Sequence, residues 1–218
     1  MSDLKSRLRQ IAADGMKNSP SEAEVERESR LLVRAAREER LEAARGVVPE
    51  EDFEALVRNE ELAPTAALVA VRGWRKNRAS LESPMTMLVI LGETGRGKTV
   101  ASLWLMAELG GVYVTAEELR RLSRSYGGRD RDDLDRLIKA RVLVVDDVGT
   151  EQDEESAASA MFEVVNRRMG LARGWTILTG NLTTAQFQAR YGERTTRRIH
   201  HQGAFVEVSG GDLRRGGT

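Results

Sequence analysis

The feature that most constrains this chain is a run of eight residues near its middle, Gly92-Glu-Thr-Gly-Arg-Gly-Lys-Thr99. The run matches the pattern G-x-x-x-x-G-K-[ST] at every position. Glycines at these positions let the backbone curl so that successive N–H groups point toward one centre. An apolar segment of strand length, residues 85–91, precedes the run, and residues 100–109 after it are apolar nearly all round, as in a buried helix. The sequence therefore predicts a strand–loop–helix unit whose loop binds phosphate groups.

Charge and hydroxyl chemistry give roles to the last two residues of this phosphate loop. Lys98 is expected to neutralise the β- and γ-phosphates of a nucleoside triphosphate, and the hydroxyl group of Thr99 is expected to bind Mg²⁺. We expect the nucleotide to be bound by the whole loop, which consists of Gly92, Glu93, Thr94, Gly95, Arg96, Gly97, Lys98 and Thr99. The alternative is a glycine-rich turn with a stray lysine, which would not require a strand before it and a helix after it.

A second apolar segment, residues 142–145, ends in two carboxylates, Asp146 and Asp147. Because ligands bind at the carboxyl ends of the strands of a parallel sheet, both acids are expected beside the phosphate loop. Asp146 would hold the metal, directly or through water, and Asp147 could polarise the attacking water. The alternative is a strand that ends in a solvated acidic turn, which the phosphate loop upstream makes the weaker interpretation.

The alternation of apolar segments and helices after residue 64 indicates the fold class. Besides the two strands above, we expect strands at residues 112–115, 175–179 and 204–208. Strands that are apolar throughout and alternate with helices predict a parallel sheet that is covered on both faces. We therefore expect an α/β protein in which residues 65–218 form a three-layer sandwich around a parallel five-stranded sheet.

Residues 1–64 are more highly charged and predict helices. Ser21 and Glu24 have the spacing of a capping box, and the helix that they begin should run to about Ala44, with Val25 and Leu41 on a thin apolar stripe. A second short helix should contain Phe53. We interpret these residues as a helical arm that docks a partner, because a thin stripe cannot make a core of its own. A solvated helical tail is the alternative.

Composition excludes several classes of site. The chain has no cysteine, which excludes disulfides, thiol nucleophiles and cysteine-ligated metals. It has only two histidines, His200 and His201, which argues against a histidine-rich metal site. Lys plus Arg equals Asp plus Glu, 34 of each, so net charge indicates no partner. No apolar run approaches the ~20 residues of a membrane helix, and the first residues lack the apolar core of a signal peptide. We expect a soluble, cytoplasmic protein without a membrane partner.

Several segments outside the phosphate loop carry a family resemblance. They are Leu143-Val-Val-Asp-Asp-Val-Gly-Thr-Glu151, Thr179-Gly-Asn181, Tyr191-Gly-Glu-Arg-Thr-Thr-Arg-Arg-Ile199 and Gly210-Gly-Asp-Leu-Arg214. Together with the loop they resemble the AAA+ ATPases and, within these, the DnaC-type helicase loaders and the IstB-type transposition ATPases. The resemblance covers about residues 65–216. It implies the P-loop AAA+ fold, with ATP and Mg²⁺ as ligands.

The resemblance also implies roles for single residues. Asn181 would be the polar sensor that follows the fourth strand, and Arg214 would be a second sensor near the C-terminus. Arg194 and Arg198 lie four residues apart, on one helix face, and either would be the arginine finger that completes the site of a neighbouring subunit. A finger that acts on a neighbour implies a homo-oligomer.

The sequence departs from the family pattern at two places. Asp147 stands where most AAA+ proteins have Glu, which weakens its assignment as the group that polarises water. The chain ends four residues after Arg214, so the C-terminal lid is expected to be reduced.

A group of basic residues between the second and third strands suggests a nucleic-acid contact. It contains Arg120, Arg121, Arg124, Arg129 and Arg131, with Tyr126 among them. Arginines bind phosphates and a tyrosine can stack on a base, but four aspartates lie in the same stretch, and a salt-bridged surface is an equal alternative. The family resemblance favours single-stranded DNA.

These features leave three functions open. The first is an assembly-dependent ATPase that acts on DNA as a replicative helicase loader or replication accessory. The second is a transposition helper that binds duplex DNA and directs a transposase. The third is a nucleotide-gated interaction module with little turnover. A small-molecule kinase is less favoured, because no lid or acceptor pocket can be identified.

Overall fold

The structure is a computed structural model that describes residues 21–44, 48–58, 64–78, 85–125, 128–169, 171 and 174–209. Contacts between residues divide the chain into two compact units, Met1–Glu39 and Arg40–Thr218. Arg214, the C-terminal lid and Tyr126 lie outside the described residues. No helix within the described ranges has the length and apolar character that crossing a membrane requires.

The described part of the first unit is helical and belongs to α1, Glu22–Ala44, whose last five residues are counted in the second unit. The predicted capping box is confirmed. The backbone amide of Ser21 donates to Glu24 Oε2 at 2.8 Å, and the amide of Glu24 donates to Ser21 Oγ at 3.3 Å. Val25, Leu31 and Val33 are exposed on this helix, so the apolar stripe of α1 is not buried at these positions.

The second unit contains the remaining helices and all the strands of the described chain. In order these are α2 Glu50–Arg58, α3 Ala66–Arg78, β1 Met87–Leu91, α4 Lys98–Leu109, β2 Val112–Thr115, α5 Ala116–Ser123, α6 Arg129–Lys139, β3 Val142–Val148, α7 Glu154–Met169, β4 Trp175–Gly180, α8 Thr184–Tyr191, α9 Glu193–Gln202 and β5 Gly203–Glu207.

The five strands form one sheet in the order β2-β3-β4-β1-β5, and every neighbouring pair is parallel. The strand β4 therefore separates β1, which enters the phosphate loop, from β3, which carries the two aspartates. The register of β3 against β4 shifts between Val145 and Val148, so that Asp146 and Asp147 lie in an irregular part of the strand.

Both faces of the sheet are buried, which confirms the expected three-layer sandwich. Alternate residues of the strands point to opposite faces. Val89 and Val145 pack with residues of α5 to α9, whereas Ile90 packs with residues of α3 and α4. Val144 packs with α4 and with the segment that precedes α3. Strands buried on both sides read as continuous apolar runs, which is why the sequence predicted the central strands; the edge strand β5 is half-buried and was predicted from its short apolar segment.

The boundary between the units lies earlier in the chain than the expected boundary at residue 64. Phe53 and Leu56 of α2 are buried against Leu103 and Met106 of α4. Arg40 adds a polar contact, since its Nη1 donates to the carbonyl oxygen of Glu108, near the end of α4, at 2.7 Å. The described part of residues 40–58 therefore shares a core with the sheet, whereas a role of residues 1–64 in docking a partner stays a prediction.

Candidate nucleotide-binding site

The phosphate loop joins the carboxyl end of β1 to the first turn of α4. Gly92, Gly95 and Gly97 have φ angles of 140°, 80° and 71°, a region that favours glycine because it lacks a Cβ atom. Gly97 is the N-cap of α4, and no described side chain caps this helix. The first backbone N–H groups of α4 therefore remain available for an anion, and the helix dipole favours negative charge there.

Glycine is also required at position 92 because the backbone after β5 passes too close to leave room for a side chain. A Cβ atom at this position would lie 2.3 Å from the carbonyl oxygen of Val208, just after β5. The amide of Val208 donates to the carbonyl of Leu91 at 2.8 Å. The start of the loop is thus fixed against the segment that follows β5.

Lys98 is buried and its ammonium group lies at the centre of the loop. The Nζ atom donates to the carbonyl oxygens of Gly92 and Glu93, both at 2.7 Å, and to Oδ1 of Asn181 at 2.9 Å. Asn181 directly follows β4, which lies beside β1. The structure therefore brings together the predicted sensor and the predicted phosphate-binding lysine.

Asp146 is buried and accepts hydrogen bonds from three hydroxyl groups. Thr99 Oγ1 lies 3.0 Å from Oδ2, the hydroxyl of Tyr113 lies 3.0 Å from the same oxygen, and Thr179 donates to Oδ1. Burial, followed by the charge of Asp146, raises the pKa of Tyr113, so its hydroxyl remains a donor. The sequence predicted that Thr99 and Asp146 lie beside the same metal site, but not their hydrogen bond or the contacts of Tyr113 and Thr179.

Asp147 differs from Asp146 in exposure and in backbone conformation. Its side chain is exposed, and its φ angle of 57° is the only positive value among the described non-glycine residues. The carbonyl oxygen of Asp147 accepts a hydrogen bond from Thr150 Oγ1 at 2.8 Å. Asp tolerates the left-handed region better than most residues because its short polar side chain can bond locally.

The arginines of α9 share a face, as predicted from their spacing. The guanidinium carbons of Arg194 and Arg198 lie 4.5 Å and 5.3 Å from the ring centroid of Phe162 on α7. Arg197 instead pairs with Glu193 at 2.6 Å. The role of either arginine as a finger stays a prediction.

The basic residues between β2 and β3 make ion pairs within the chain. Arg121 pairs with Glu118 at 3.0 Å and Arg124 pairs with Asp153 at 3.0 Å. Arg120 pairs with Glu117, and Arg131 pairs with Glu163. These are the contacts of the salt-bridged alternative, and binding of single-stranded DNA by this group stays a prediction.

The donor set at the loop fits a triphosphate with a divalent cation. Nε and Nη1 of Arg96 are buried and have no hydrogen-bond partner among the described residues, while its Nη2 pairs with Glu93. Buried donors of this kind require a partner, and phosphate oxygens would supply one. The hydroxyl of Thr99 and the carboxylate of Asp146 offer the oxygen ligands that Mg²⁺ prefers.

This fold and this loop define the class of protein, a P-loop protein of the AAA+ type, and confirm the resemblance predicted from the sequence. The chain belongs to the family described as IstB-like ATP binding protein, whose model matches residues 24–216. No curated protein matches the chain.

Solved structures share the fold at low sequence identity. The crystal structure of the DnaC helicase loader has a TM-score of 0.59 and 19% identity, and the match covers 74% of this chain and 100% of that chain. The crystal structure of DnaI has a TM-score of 0.60 and 23% identity, with 74% and 95% covered. The AMPPCP-bound DnaA from Aquifex aeolicus has a TM-score of 0.52 and 19% identity, with 70% and 50% covered.

Proposed function

We propose that this chain binds ATP with Mg²⁺ and hydrolyses it to ADP and phosphate. The observation that carries the proposal is the pair of contacts that joins the phosphate loop to the neighbouring strands. Lys98 donates to Asn181 beyond β4, and Thr99 donates to Asp146 of β3. These contacts bring a cation, a hydroxyl group and a carboxylate to one edge of the sheet, as phosphoryl transfer requires.

The residues of the loop would bind the phosphates. Lys98 and the free amides at the start of α4 would hold the β- and γ-phosphates, with Arg96 adding further positive charge. Thr99 and Asp146 would hold Mg²⁺, which when bound neutralises negative charge on the phosphate oxygens. The three hydroxyl donors fix the orientation of the Asp146 carboxylate for this purpose.

Asp147 and Asn181 would act on the attacking water. Asp147 is exposed and would accept a proton from that water as it attacks the γ-phosphate. The side-chain oxygen of Asn181 accepts from Lys98, so its two N–H groups remain to orient the water or the γ-phosphate.

Turnover would depend on assembly of several copies of the chain. An arginine from a neighbouring subunit stabilises the charge that spreads over the transferred phosphoryl group. Arg194 or Arg198 would supply this finger, and Arg214 would contact the nucleotide as the second sensor. ATP would then lie between subunits, and binding would favour a homo-oligomer.

The biological role that we propose is that of a replicative helicase loader or replication accessory that grips single-stranded DNA. Its support is the fold shared with the whole chain of the DnaC helicase loader. A transposition helper that works with a transposase on duplex DNA is the second candidate, supported by the IstB-like family match. A footprint on duplex DNA, without affinity for a replicative helicase, would favour the second role over the first.

A nucleotide-gated module with little turnover remains the third candidate, because Asp147 replaces the usual Glu. Single-turnover hydrolysis by the wild type and by Asp147→Asn separates it from an ATPase. We expect the wild type to be faster; equal rates would support the gated module.

The test of the ATP site is Lys98→Ala, with Lys76→Ala as the matched control. Lys76 is an exposed lysine of α3. Titration with a fluorescent ATP analogue should show affinity reduced by at least about tenfold for Lys98→Ala, because a charged hydrogen bond contributes roughly 1.5–3 kcal/mol. Lys76→Ala should bind as the wild type does. Unchanged affinity in a folded Lys98→Ala variant would overturn the proposed site.

A further inference from the structure

The turn at the carboxyl end of β3 has an unusual backbone. We define it as residues 147–151 and call it the acidic turn. It begins at Asp147, whose φ angle is 57° and which lies within the register shift at the end of β3. A left-handed non-glycine residue costs on the order of 1 kcal/mol and persists only where its surroundings fix it. The contacts of the turn should therefore reveal what fixes it.

The buried side chain of Glu151 bonds to the backbone of the acidic turn. Only 2% of its side chain is exposed. Its Oε1 accepts from the hydroxyl of Tyr191 at 2.6 Å, and its Oε2 accepts from the backbone amide of Gly149 at 3.0 Å. The same amide donates to the hydroxyl oxygen of Tyr191 at 2.7 Å. Glu151, Tyr191 and the Gly149 amide thus form a closed triangle of hydrogen bonds.

Burying a carboxylate is costly unless it is paired. Arg190 provides the opposite charge, with Nη2 3.3 Å from Glu151 Oε2, and its Nη1 bonds Glu154 at 2.8 Å. Burial, followed by the hydrogen bond to Glu151, raises the pKa of Tyr191. Neither Glu151 nor Tyr191 belongs to the proposed nucleotide contacts, so the site described above does not explain this pair.

The position of Tyr191 suggests an explanation. It is the last residue of α8, and α9, with Arg194 and Arg198, begins two residues later. Gly192 between the two helices is held at both of its polar groups, since its amide donates to Gln188 and its carbonyl accepts from Thr196. The Tyr191 hydroxyl therefore connects the acidic turn directly to the start of the arginine-bearing helix.

We propose that Glu151 and Tyr191 are positioning residues for ATP hydrolysis. Their hydrogen bond holds the Gly149 amide, which keeps Asp147 left-handed and keeps the acidic turn in a fixed place relative to α9. The position of Asp147, which would polarise water in its own subunit, is then coupled to the position of the α9 arginine that would act in a neighbouring subunit. This proposal rests on the proposed function, because it concerns the rate of that reaction.

The test is Tyr191→Phe, which removes one hydroxyl and keeps the ring contact with Phe187, now 4.6 Å between centroids. The matched control is Thr196→Val, which removes a buried hydroxyl that donates to the carbonyl oxygen of Gly192 but leaves the bond from the Thr196 amide to the same oxygen in place. We expect kcat of Tyr191→Phe to fall at least about tenfold, as for a displaced reacting group, while the Kd of a fluorescent ATP analogue stays within about twofold. Thr196→Val should keep its kcat.

A second readout does not depend on activity. Hydrogen exchange of the Gly149 amide should be faster in Tyr191→Phe than in the wild type, while the amides of α4 exchange unchanged. A double-mutant cycle with Glu151→Gln should show coupling, so that the double variant loses less kcat than the product of the two single losses.

The outcomes separate this proposal from the function on which it rests. No turnover by the wild type above Lys98→Ala would overturn the ATPase and this proposal with it. Wild-type turnover with an unchanged kcat in Tyr191→Phe would overturn the positioning role alone. Equal losses of kcat and of melting temperature in Tyr191→Phe and Thr196→Val would mean that the hydroxyl has only a structural role, and would also overturn it.

Discussion

Asp146 receives its three hydroxyl donors from three different elements of the fold. Thr99 lies on α4, Tyr113 on β2 and Thr179 on β4. A carboxylate has about four sites for hydrogen bonds or ligands, so these donors fix its plane and still leave room for a metal ion. Sequence patterns could predict Thr99 and Asp146, because both belong to known motifs. The contact of Tyr113 depends on the pairing of β2 with β3, which no motif encodes.

Two of the tyrosines allow a prediction for alkaline pH. Burial, together with Asp146 and Glu151, raises the pKa of Tyr113 and Tyr191 above the ordinary value. The folded chain therefore retains protons that the unfolded chain loses above about pH 10. Their contribution to the free energy of unfolding is complete below that pH and decreases as the pH rises above it.

Urea denaturation at about pH 9 and about pH 11 measures this effect, since the two values bracket the ordinary pKa of tyrosine. We expect Tyr191→Phe to lose less stability between the two conditions than the wild type does. If both proteins lose the same amount, the hydroxyl of Tyr191 does not hold its proton as the structure indicates.

At the scale of elements, the strands were predictable and two helices were not. The three central strands are apolar runs buried on both faces, and the edge strands β2 and β5 are half-buried apolar runs; such runs are visible in the sequence. The helix α6 buries only Leu134 and Ile138. Most of its other residues are charged, so the sequence shows no clear helical repeat of apolar residues. The helix α8 buries only Phe187 and Tyr191. Its start was nonetheless encoded, because Thr183 and Gln186 have the spacing of a capping box.

That capping box should account for part of the stability of α8. The amide of Gln186 donates to Thr183 Oγ1 at 3.2 Å, and the amide of Thr183 donates to Gln186 Oε1 at 2.8 Å. Thr183→Ala should lower the free energy of unfolding by about 1 kcal/mol, measured by urea denaturation. Thr183→Ser keeps the oxygen and is the control. A loss of the same size in Thr183→Ser would show that the cap is not the cause.

At the scale of the whole molecule, the proposed arginine finger would complete the site only when copies of the chain assemble. Arg194 lies over Phe162 of its own chain, and its proposed target is the nucleotide of a neighbour. Arg194→Ala should therefore retain nucleotide binding and lose turnover, by a large factor if it resembles the ~10³–10⁵ measured for arginine fingers in GTPases. Arg198→Ala is the companion variant that decides which arginine is the finger.

Mixing variants tests whether the arginine acts between subunits. Lys98→Ala is expected to bind nucleotide poorly but keeps its arginine, so mixing it with Arg194→Ala should restore part of the ATPase rate. The control is the chain that carries both substitutions, which should restore nothing when mixed with Arg194→Ala. Absence of recovery at every ratio would mean that Arg194 does not serve a neighbour.

Helix α9 leads into β5 without a connecting loop, and the residue after β5 lies close to the phosphate loop. Helix α9 ends at Gln202, β5 begins at Gly203, and Val208, just past the strand, touches Gly92. A tilt of α9 imposed by a neighbouring copy in the proposed oligomer would be transmitted through the five residues of β5 to Gly92. In the proposed oligomer, the packing of α9 against a neighbouring copy would therefore be coupled to the affinity of the phosphate loop for nucleotide.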